Sequence, residues 1–238
     1  MKLQVEENSE NFEYPWILRA RPKQLSPPGD WRIWLLLAGR GFGKTLAISQ
    51  WALAQAAAMP KSRGAIVAAT ESDARAVMVE GESGILTVAP PSFTPIYEPS
   101  KRLLSFPNGS TAALFSAEQP NRLRGPQHHW AICDELAAWK QPETFDMLLL
   151  GLRLGSDPRV AIATTPRPVA LVKRLLADPT AVVVRGSTYE NELNLAPAFL
   201  QGIARRYEGT RLGRQELLGE LLDENAGALF KQALIDAA

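Results

Sequence analysis

The sequence predicts an α/β fold built on a mostly parallel sheet that is flanked by helices. Three observations carry this prediction: short continuous apolar runs recur along the chain, helical patterns alternate with them, and a glycine-rich turn joins the first run to the first helix. Continuous apolar runs are typical of strands buried on both faces, and strand–helix alternation is typical of parallel sheets.

The elements follow one another with clear boundaries in the first half of the chain. Residues 1–30 are polar and rich in proline, which predicts an arm lying over a domain rather than a core element. "WRIWLLLA" (31–38) predicts a buried strand, and the alanine-rich stretch 44–59, stopped by Pro60, predicts a helix. Further strands are predicted at 64–70, 129–135, 159–166 and 181–186, further helices at 71–81 and 168–177, and a hairpin about the Asn-Gly turn at 102–116.

The pattern changes beyond about residue 190, where helical spacing continues without any strand signal. We therefore predict three parts: an arm at 1–30, an α/β core at 31–187 and a small helical subdomain at 188–238. The final "GALFKQALIDAA" ends without a stop signal, which favours a fragment of a longer chain.

Bulk properties set broad limits on partners and compartment. The chain has 238 residues, enough for one sizeable core with an appendage, and its 26 basic and 25 acidic side chains nearly cancel. Overall charge therefore does not indicate nucleic acid, although a local patch can still bind it. Cys133 is the single cysteine, so a reducing cytoplasm is the simplest compartment. No apolar run approaches the roughly 20 residues of a membrane span, so no membrane partner is expected.

The stretch "LLLAGRGFGKT" (35–45) predicts a phosphate-binding loop between a strand and a helix. Its glycines permit positive φ angles and close backbone approach, while Lys44 would reach the β- and γ-phosphates and Thr45 would bind Mg²⁺. Ala38 stands where the pattern has its first glycine, which is tolerable if φ stays negative there. The alternative is a tight turn with an exposed lysine, which three glycines before Lys-Thr disfavour. The predicted nucleotide-binding residues are Gly39, Arg40, Gly41, Phe42, Gly43, Lys44 and Thr45.

Two adjacent acids end the strand predicted at 129–135. Asp134 would hold the hydration shell of Mg²⁺, and Glu135 would orient or deprotonate the attacking water. The alternative is a solvated helix cap, which the neighbouring phosphate loop disfavours. The adjacent Asp-Glu pair favours hydrolysis that drives motion over a simple kinase.

Hydroxyl groups end the strand predicted at 159–166, where Thr164 and Thr165 would lie beside the phosphate site. They would sense the γ-phosphate and pass its loss to the next helix, or they form only a local turn. Upstream, "RARPKQLSPPGDW" (19–31) offers Arg21 and Gln24, which can stack on and pair with an adenine. A solvated loop is the equal alternative there.

Arginines of the loop "NRLRGPQ" (121–127) are candidates for action on a neighbouring subunit. Arg122 or Arg124 on such a loop can insert into the neighbour's site and stabilise transition-state charge. A surface arginine or a DNA-phosphate contact explains the same residues equally well. Arg40, inside the phosphate loop, is a candidate for a similar role within its own site.

These stretches together resemble the ATPase domain of the large terminase subunit of tailed bacteriophages, the motor that packages DNA into procapsids. The resemblance rests on "WRIWLLLAGRGFGKT", "RGPQHHWAICDE" and "ATTP" in this order, with "ARPKQLSPPGDW" upstream, and it covers at least residues 16–225. The Asp-Glu pair alone is generic, but the combination is specific. Family variants often lack the first loop glycine, which fits Ala38.

The resemblance implies an additional-strand P-loop core, a small helical lid subdomain and a homo-oligomeric ring, a pentamer when assembled, that pumps double-stranded DNA. It also implies ATP and Mg²⁺ as cofactors, the portal protein and the small terminase subunit as partners, and the host cytoplasm at the procapsid portal as the location. By motif position it assigns phosphate binding to Lys44 and Thr45, the metal and catalytic acids to Asp134 and Glu135, coupling to Thr164 and Thr165, a finger acting in trans to Arg124, and adenine binding to the region of Gln24.

Large terminase subunits normally also carry a metal-dependent nuclease at the C-terminal side. No acidic cluster follows a strand after residue 190, so we expect no DNA cutting from this chain. Two rival functions remain. One is another nucleic-acid ATPase such as a helicase, which would normally need a second lobe. The other is an assembly module that ATP orders without productive turnover.

Overall fold

The computed structural model describes residues 16–222, and the fold is that of this part of the chain. The strands are β1 Ile33–Ala38, β2 Arg63–Ala68, β3 Ile96–Glu98, β4 Leu103–Ser105, β5 Thr111–Ser116, β6 Trp130–Asp134, β7 Arg159–Thr164 and β8 Ala181–Gly186. The helices are α1 Trp16–Arg19, α2 Lys44–Ala58, α3 Glu71–Ala76, α4 Ile85–Val88, α5 Glu143–Gly151, α6 Ala170–Leu176, α7 Pro197–Tyr207 and α8 Arg211–Glu216. Short 3₁₀ turns lie at Pro22–Gln24, Pro91–Phe93, Pro120–Leu123, Leu136–Ala138 and Thr188–Asn194.

All eight strands form one sheet in the order β3-β4-β5-β2-β6-β7-β1-β8. The neighbours from β5 to β8 are parallel, and β3, β4 and β5 pair antiparallel at one edge. The predicted mostly parallel sheet and the predicted hairpin are thus confirmed. The five-residue hairpin loop turns at Gly109, whose φ of 81° suits glycine.

Helices cover both faces of the sheet, which explains why the strands are continuous apolar runs. Every residue of β1 is buried. Trp34 and Leu36 belong to the core beneath α2, whereas Leu35 and Leu37 belong to the core beneath α5 and α6. Burial on both faces removes the alternation of polar and apolar residues that a half-exposed strand shows.

One helix prediction differs from the structure, and one helix of the structure was not predicted. The helix predicted at 71–81 ends at Ala76, because the chain then turns tightly into α4. A Cβ on Gly81 would lie 2.7 Å from the Val77 carbonyl oxygen, and one on Gly84 would lie 2.6 Å from the Val79 carbonyl oxygen. Only glycine fits such a turn. Helix α5 was not predicted, although its first turn carries the acids Glu143 and Asp146 that favour a helix start.

The arm and the segment after β8 both lie beside the loop between β1 and α2. Gln24 of the arm is buried against this loop, and so is Thr188 of the segment after β8. The predictions for residues 1–15 and 223–238 lie outside the described residues. The division into arm, core and helical subdomain stays a prediction. Within residues 16–222, no helix has the length and apolar character needed to cross a membrane.

Candidate functional site

The candidate site lies where the carboxyl ends of β1, β7 and β6 meet. Strand β7 is inserted between β1, which leads into the glycine-rich loop, and β6, which ends in the acidic pair. The register pairs Leu37 of β1 with Thr164 of β7, and Ala163 of β7 with Asp134 of β6. Ligands of open α/β sheets bind at this edge, so the fold brings the predicted site residues of three strands together.

The glycine-rich loop passes from the end of β1 to the start of α2. Gly41 and Gly43 have φ angles of 69° and 85°, which glycine adopts without strain. The glycines were predicted to permit positive φ or close approach, and Gly39 serves only the second. Its φ is ordinary, but a Cβ there would lie 2.5 Å from the Leu217 carbonyl oxygen, so close packing is its reason. Ala38 ends β1 without positive φ, as its substitution for glycine requires.

Lys44 opens α2 and folds back along the loop. Its Nζ donates to the carbonyl oxygens of Ala38 at 2.9 Å and Gly39 at 3.0 Å, and to Thr165 Oγ1 at 3.3 Å. Burial lowers the pKa of Lys44, and the nearby charges of Glu135 and Asp134 partly offset this effect. The ammonium therefore lies between the loop and the acidic strand end.

The next residue of α2 contacts the acidic strand directly. Thr45 Oγ1 donates to Asp134 Oδ1 at 3.1 Å. Asp134 is buried, and burial, followed by the charge of Glu135, raises the pKa of Asp134 to about 7. A buried carboxylate and a hydroxyl side by side form an oxygen donor set of the kind that Mg²⁺ prefers.

Glu135 has an unusual backbone for a residue with a side chain. Its φ of 45° lies in the left-handed region, which costs roughly 1–3 kcal/mol when a non-glycine residue is held there. Thr165 fixes the carboxylate: its N–H and its Oγ1 each donate to a Glu135 oxygen at 3.2 Å. Thr164 Oγ1 accepts from the N–H of Ala137 at 3.0 Å, just beyond the acids. Both threonines of β7 are therefore joined to the acidic strand end.

The two predicted adenine-binding residues contact the loop instead of standing free. Gln24 is buried, and its Nε2 donates to the Gly43 carbonyl oxygen at 3.1 Å. The Arg21 guanidinium donates to the Phe42 carbonyl oxygen and lies 4.7 Å from the centre of the Phe42 ring. Phe42 is fully buried, its carbonyl oxygen accepts from Arg21 and its N–H donates to the Gly39 carbonyl oxygen at 3.4 Å, so it shapes the loop without being free to contact a nucleotide.

Arg40 leaves the loop on the other side. Its Nε lies 2.7 Å from Glu216 Oε2 of α8, and its backbone N–H donates to the Glu216 carbonyl oxygen at 2.7 Å. The carbonyl oxygens of Arg40 and Gly41 accept from Thr188 Oγ1 and Asn191 Nδ2, each at 2.6 Å. Reasoning from the sequence missed Glu216, Thr188 and Asn191. Polar residues 148 to 176 positions from their partners in the loop carry no signal of such contacts.

Arg122 and Arg124 are exposed at the turn Pro120–Leu123 and just after it. Within the described part of the chain, neither side chain makes a hydrogen bond or an ion pair with Lys44, Asp134 or Glu135. The structure therefore brings together all predicted site residues of the loop, arm, β6 and β7, and leaves these two arginines outside.

A strand inserted between the phosphate-loop strand and the acidic strand distinguishes one class of nucleotide-hydrolysing folds from its relatives. By fold and site, the chain is a P-loop ATPase of this additional-strand class.

Comparison with known proteins narrows the class to one family. The family model described as "Terminase large subunit, T4likevirus-type, N-terminal" matches residues 35–237. The chain therefore belongs to the family of large terminase subunits, the ATP-driven DNA-packaging motors of bacteriophages. No curated protein sequence matches.

Solved structures share the fold at low sequence identity. The large terminase ATPase domain of Thermus phage P74-26 is 17% identical with a TM-score of 0.63, and the match covers 82% of this chain and 90% of that one. The large terminase of the thermophilic bacteriophage D6E in complex with ADP is 14% identical with a TM-score of 0.65, and the match covers 87% of this chain and 51% of that one. The bacteriophage HK97 large terminase is 18% identical with a TM-score of 0.56, and the match covers 82% of this chain and 47% of that one. The chain thus spans about half the length of the D6E and HK97 proteins.

Proposed function

We propose that this chain binds ATP and Mg²⁺ at the loop 39–45 and hydrolyses ATP, and that the large terminase uses this hydrolysis to move double-stranded DNA into a procapsid. The observation that carries the proposal is the hydrogen bond of 3.1 Å between Thr45 of the loop and Asp134 of the acidic strand. Membership of the terminase family supports the motor function, and the D6E relative was solved with ADP.

Phosphate binding falls to the loop and Lys44. The loop lies at the start of α2, where unpaired N–H groups and the helix dipole favour an anion. Lys44 Nζ has only the loop carbonyls and Thr165 as partners within the described residues, so it can exchange them for phosphate oxygens. The adenine would lie beside Arg21 and Gln24, and the support for this is that both side chains are fixed against the same loop.

Mg²⁺ fits Thr45 and Asp134, because the two oxygens already face each other at hydrogen-bond distance and Asp134 is a buried carboxylate that a cation would stabilise in its charged form. When bound there, the ion supplies charge neutralisation on the phosphates.

Hydrolysis falls to Glu135, which orients the attacking water and accepts its proton. The Glu135 backbone lies in the left-handed region, and the N–H and hydroxyl of Thr165 hold its carboxylate in place. Since Thr165 contacts both Glu135 and Lys44, loss of the γ-phosphate changes its partners on both sides. Thr164 and Thr165 therefore couple the site to β7 and the helix beyond it.

Arg124 completes the site of a neighbouring subunit in a ring. Arg124 is exposed, and within the described residues it makes no contact with the site residues of its own chain. Both facts support action in trans. Arg122 is the alternative finger, and Arg40 is the alternative within the same site. Such a finger acts in a homo-oligomeric ring, a pentamer when assembled. The ring is mounted on the portal protein in the host cytoplasm, with the small terminase subunit as a further partner.

The dependence of turnover on protein concentration tests this function. A ring with fingers in trans predicts that ATP turnover per subunit rises with concentration, because assembly creates complete sites. The Glu135→Ala variant gives the baseline. Flat and negligible turnover combined with tight ATP binding would instead identify a module that ATP orders without hydrolysis.

A further inference from the structure

The segment that follows β8 holds the outer side of the phosphate loop. Thr188 Oγ1 donates to the Arg40 carbonyl oxygen at 2.6 Å, and Asn191 Nδ2 donates to the Gly41 carbonyl oxygen at 2.6 Å. Both donors belong to the turn Thr188–Asn194, far from the loop in sequence. Two consecutive carbonyls of the loop are therefore fixed by one distant segment.

The next two carbonyls are held by the arm, which also contacts the turn Thr188–Asn194, because Arg21 donates to the Glu190 carbonyl oxygen at 2.7 Å. Arg21 donates to the Phe42 carbonyl oxygen, and Gln24 donates to the Gly43 carbonyl oxygen at 3.1 Å. From residue 40 to residue 43, every carbonyl thus accepts a hydrogen bond from a side chain outside the loop.

This bonding fixes the direction of the loop's N–H groups. In a planar trans peptide, the carbonyl of one residue and the N–H of the next point in opposite directions. Binding the Arg40 carbonyl outward therefore turns the Gly41 N–H inward. Binding the Gly41 carbonyl fixes the next peptide, whose Phe42 N–H closes the loop by donating to the Gly39 carbonyl oxygen at 3.4 Å. Within residues 16–222, the N–H groups of Gly41 and Gly43 have no acceptor, so they remain available to an anion.

Thr188 and Asn191 are themselves held by further hydrogen bonds. Thr188 is fully buried, and its backbone N–H donates to the Leu217 carbonyl oxygen at 2.7 Å. A Cβ on Gly39 would lie 2.8 Å from Thr188 Oγ1, so the glycine admits the hydroxyl. Asn194 Nδ2 donates to Asn191 Oδ1 at 2.9 Å, which orients the Asn191 amide with its NH₂ group toward the loop.

We propose that Thr188 and Asn191 are positioning residues for the nucleotide phosphates, acting through the loop carbonyls that they bind. The inference rests on the proposed function, because it assumes that the loop binds the phosphates of ATP and ADP. Neither side chain needs to touch the nucleotide. Thr188 holds the Gly41 N–H in the direction that a phosphate oxygen requires, and Asn191 fixes the neighbouring peptide of the loop, whose N–H closes on Gly39. Both contacts keep the loop in its binding shape, which lowers the ordering cost of binding.

The test compares Thr188→Val, which keeps the shape and removes the hydroxyl, with Thr188→Ser, which keeps the hydroxyl. Isothermal titration calorimetry with ADP and Mg²⁺ on the full 238-residue chain gives the dissociation constants. We expect Thr188→Val to weaken ADP binding about tenfold and Thr188→Ser to stay within about twofold of the parent. In turnover assays, Thr188→Val should raise KM more than it lowers kcat, since the contact serves bound substrate and transition state alike.

Thr144→Val is the matched control, because Thr144 is also fully buried and donates to a backbone carbonyl, that of Ala117, at 2.7 Å. It lies at α5, away from the loop, and should leave ADP binding unchanged. Equal ADP binding by Thr188→Val and the parent, or equal weakening by both valine variants, would overturn the positioning role.

Two further variants keep the test decisive. If Thr188→Val does not fold, Asn191→Leu removes the second donor at a half-buried position and should weaken ADP binding several-fold; unchanged binding would count against the proposal. Lys44→Ala distinguishes a failure of the proposed nucleotide site from a failure of the positioning role of Thr188 and Asn191. If that variant binds ADP as tightly as the parent, the nucleotide site itself is wrong, whereas a failure confined to Thr188 and Asn191 leaves the site intact.

Discussion

Thr45 Oγ1 and Asp134 Oδ1 lie 3.1 Å apart although 89 residues separate them in the chain. The contact exists because only β7 lies between β1 and β6 in the sheet. The start of α2, which follows β1, therefore comes close to the end of β6. This places an oxygen donor from the phosphate loop beside a buried carboxylate, which is the arrangement on which the proposed Mg²⁺ site depends.

Replacing Asp134 with asparagine should abolish ATP turnover and raise the free energy of unfolding. Burial and the charge of Glu135 raise the pKa of Asp134 to about 7, so the folded state holds its proton more firmly than the unfolded chain, whose aspartates titrate near 4. The resulting destabilisation grows as pH rises from about 4 to about 7 and is complete above 7. Asp134→Asn should therefore raise the free energy of unfolding at pH 8, in EDTA, by up to about 4 kcal/mol, while ATP turnover is lost.

Chemical denaturation at pH 4 and pH 8 measures this effect, since the gain should be absent at the lower pH. Asp146→Asn is the control, because Asp146 is paired with Arg174 at the surface and its replacement should change the free energy of unfolding by less than about 1 kcal/mol. An Asp134→Asn protein that is less stable than the parent at pH 8 would contradict the stated cause of the pKa shift.

Gly39 should not tolerate even one additional methyl group. A Cβ at this position meets backbone oxygens of Leu217 at 2.5 Å and Glu216 at 2.9 Å, and backbone atoms cannot move aside cheaply. We expect Gly39→Ala to lower the free energy of unfolding by about 1–3 kcal/mol and to weaken ADP binding. Gly202→Ala, in α7 with open space around the position, should be neutral or stabilising by up to about 1 kcal/mol. Equal stability of the two variants would refute the packing argument.

The assignment of Arg124 to a neighbouring site can be checked by mixing inactive proteins. Arg124→Ala subunits keep an intact nucleotide site, and Lys44→Ala subunits keep an intact arginine. In a mixed ring at equal amounts, about a quarter of the interfaces combine both intact parts, so turnover should recover to about a quarter of the parent value. Arg122→Ala is the matched control from the same loop and should remain active alone. Absence of rescue at every mixing ratio would rule out action of Arg124 in trans.

The strands and the loop could be predicted because their signals are local. The buried strands show as apolar runs, and the loop combines glycines with Lys44 and Thr45 between a strand and a helix. The pairing of Thr45 with Asp134 followed from the same motifs. Helix α3 was predicted too long because its last residues turn through Gly81 and Gly84 into α4.

The contacts that hold the loop from outside could not be predicted. Thr188, Asn191 and Glu216 reach it only because the segment after β8 folds back over the loop. No periodicity or motif in the sequence records that approach. The need for glycine at position 39 could not be attributed to this packing from the sequence either, because the atoms that exclude a Cβ there belong to the segment after β8.

The central claim is that this chain hydrolyses ATP with Glu135 as the residue that activates water, and one comparison tests it most directly. Glu135→Gln keeps the size of the side chain and an oxygen that can accept from Thr165. Steady-state ATP turnover should fall at least about 100-fold relative to the parent, while the dissociation constant for ATP, measured in parallel, should stay within about threefold. A Glu135→Gln protein that hydrolyses ATP at a rate near that of the parent would contradict the account.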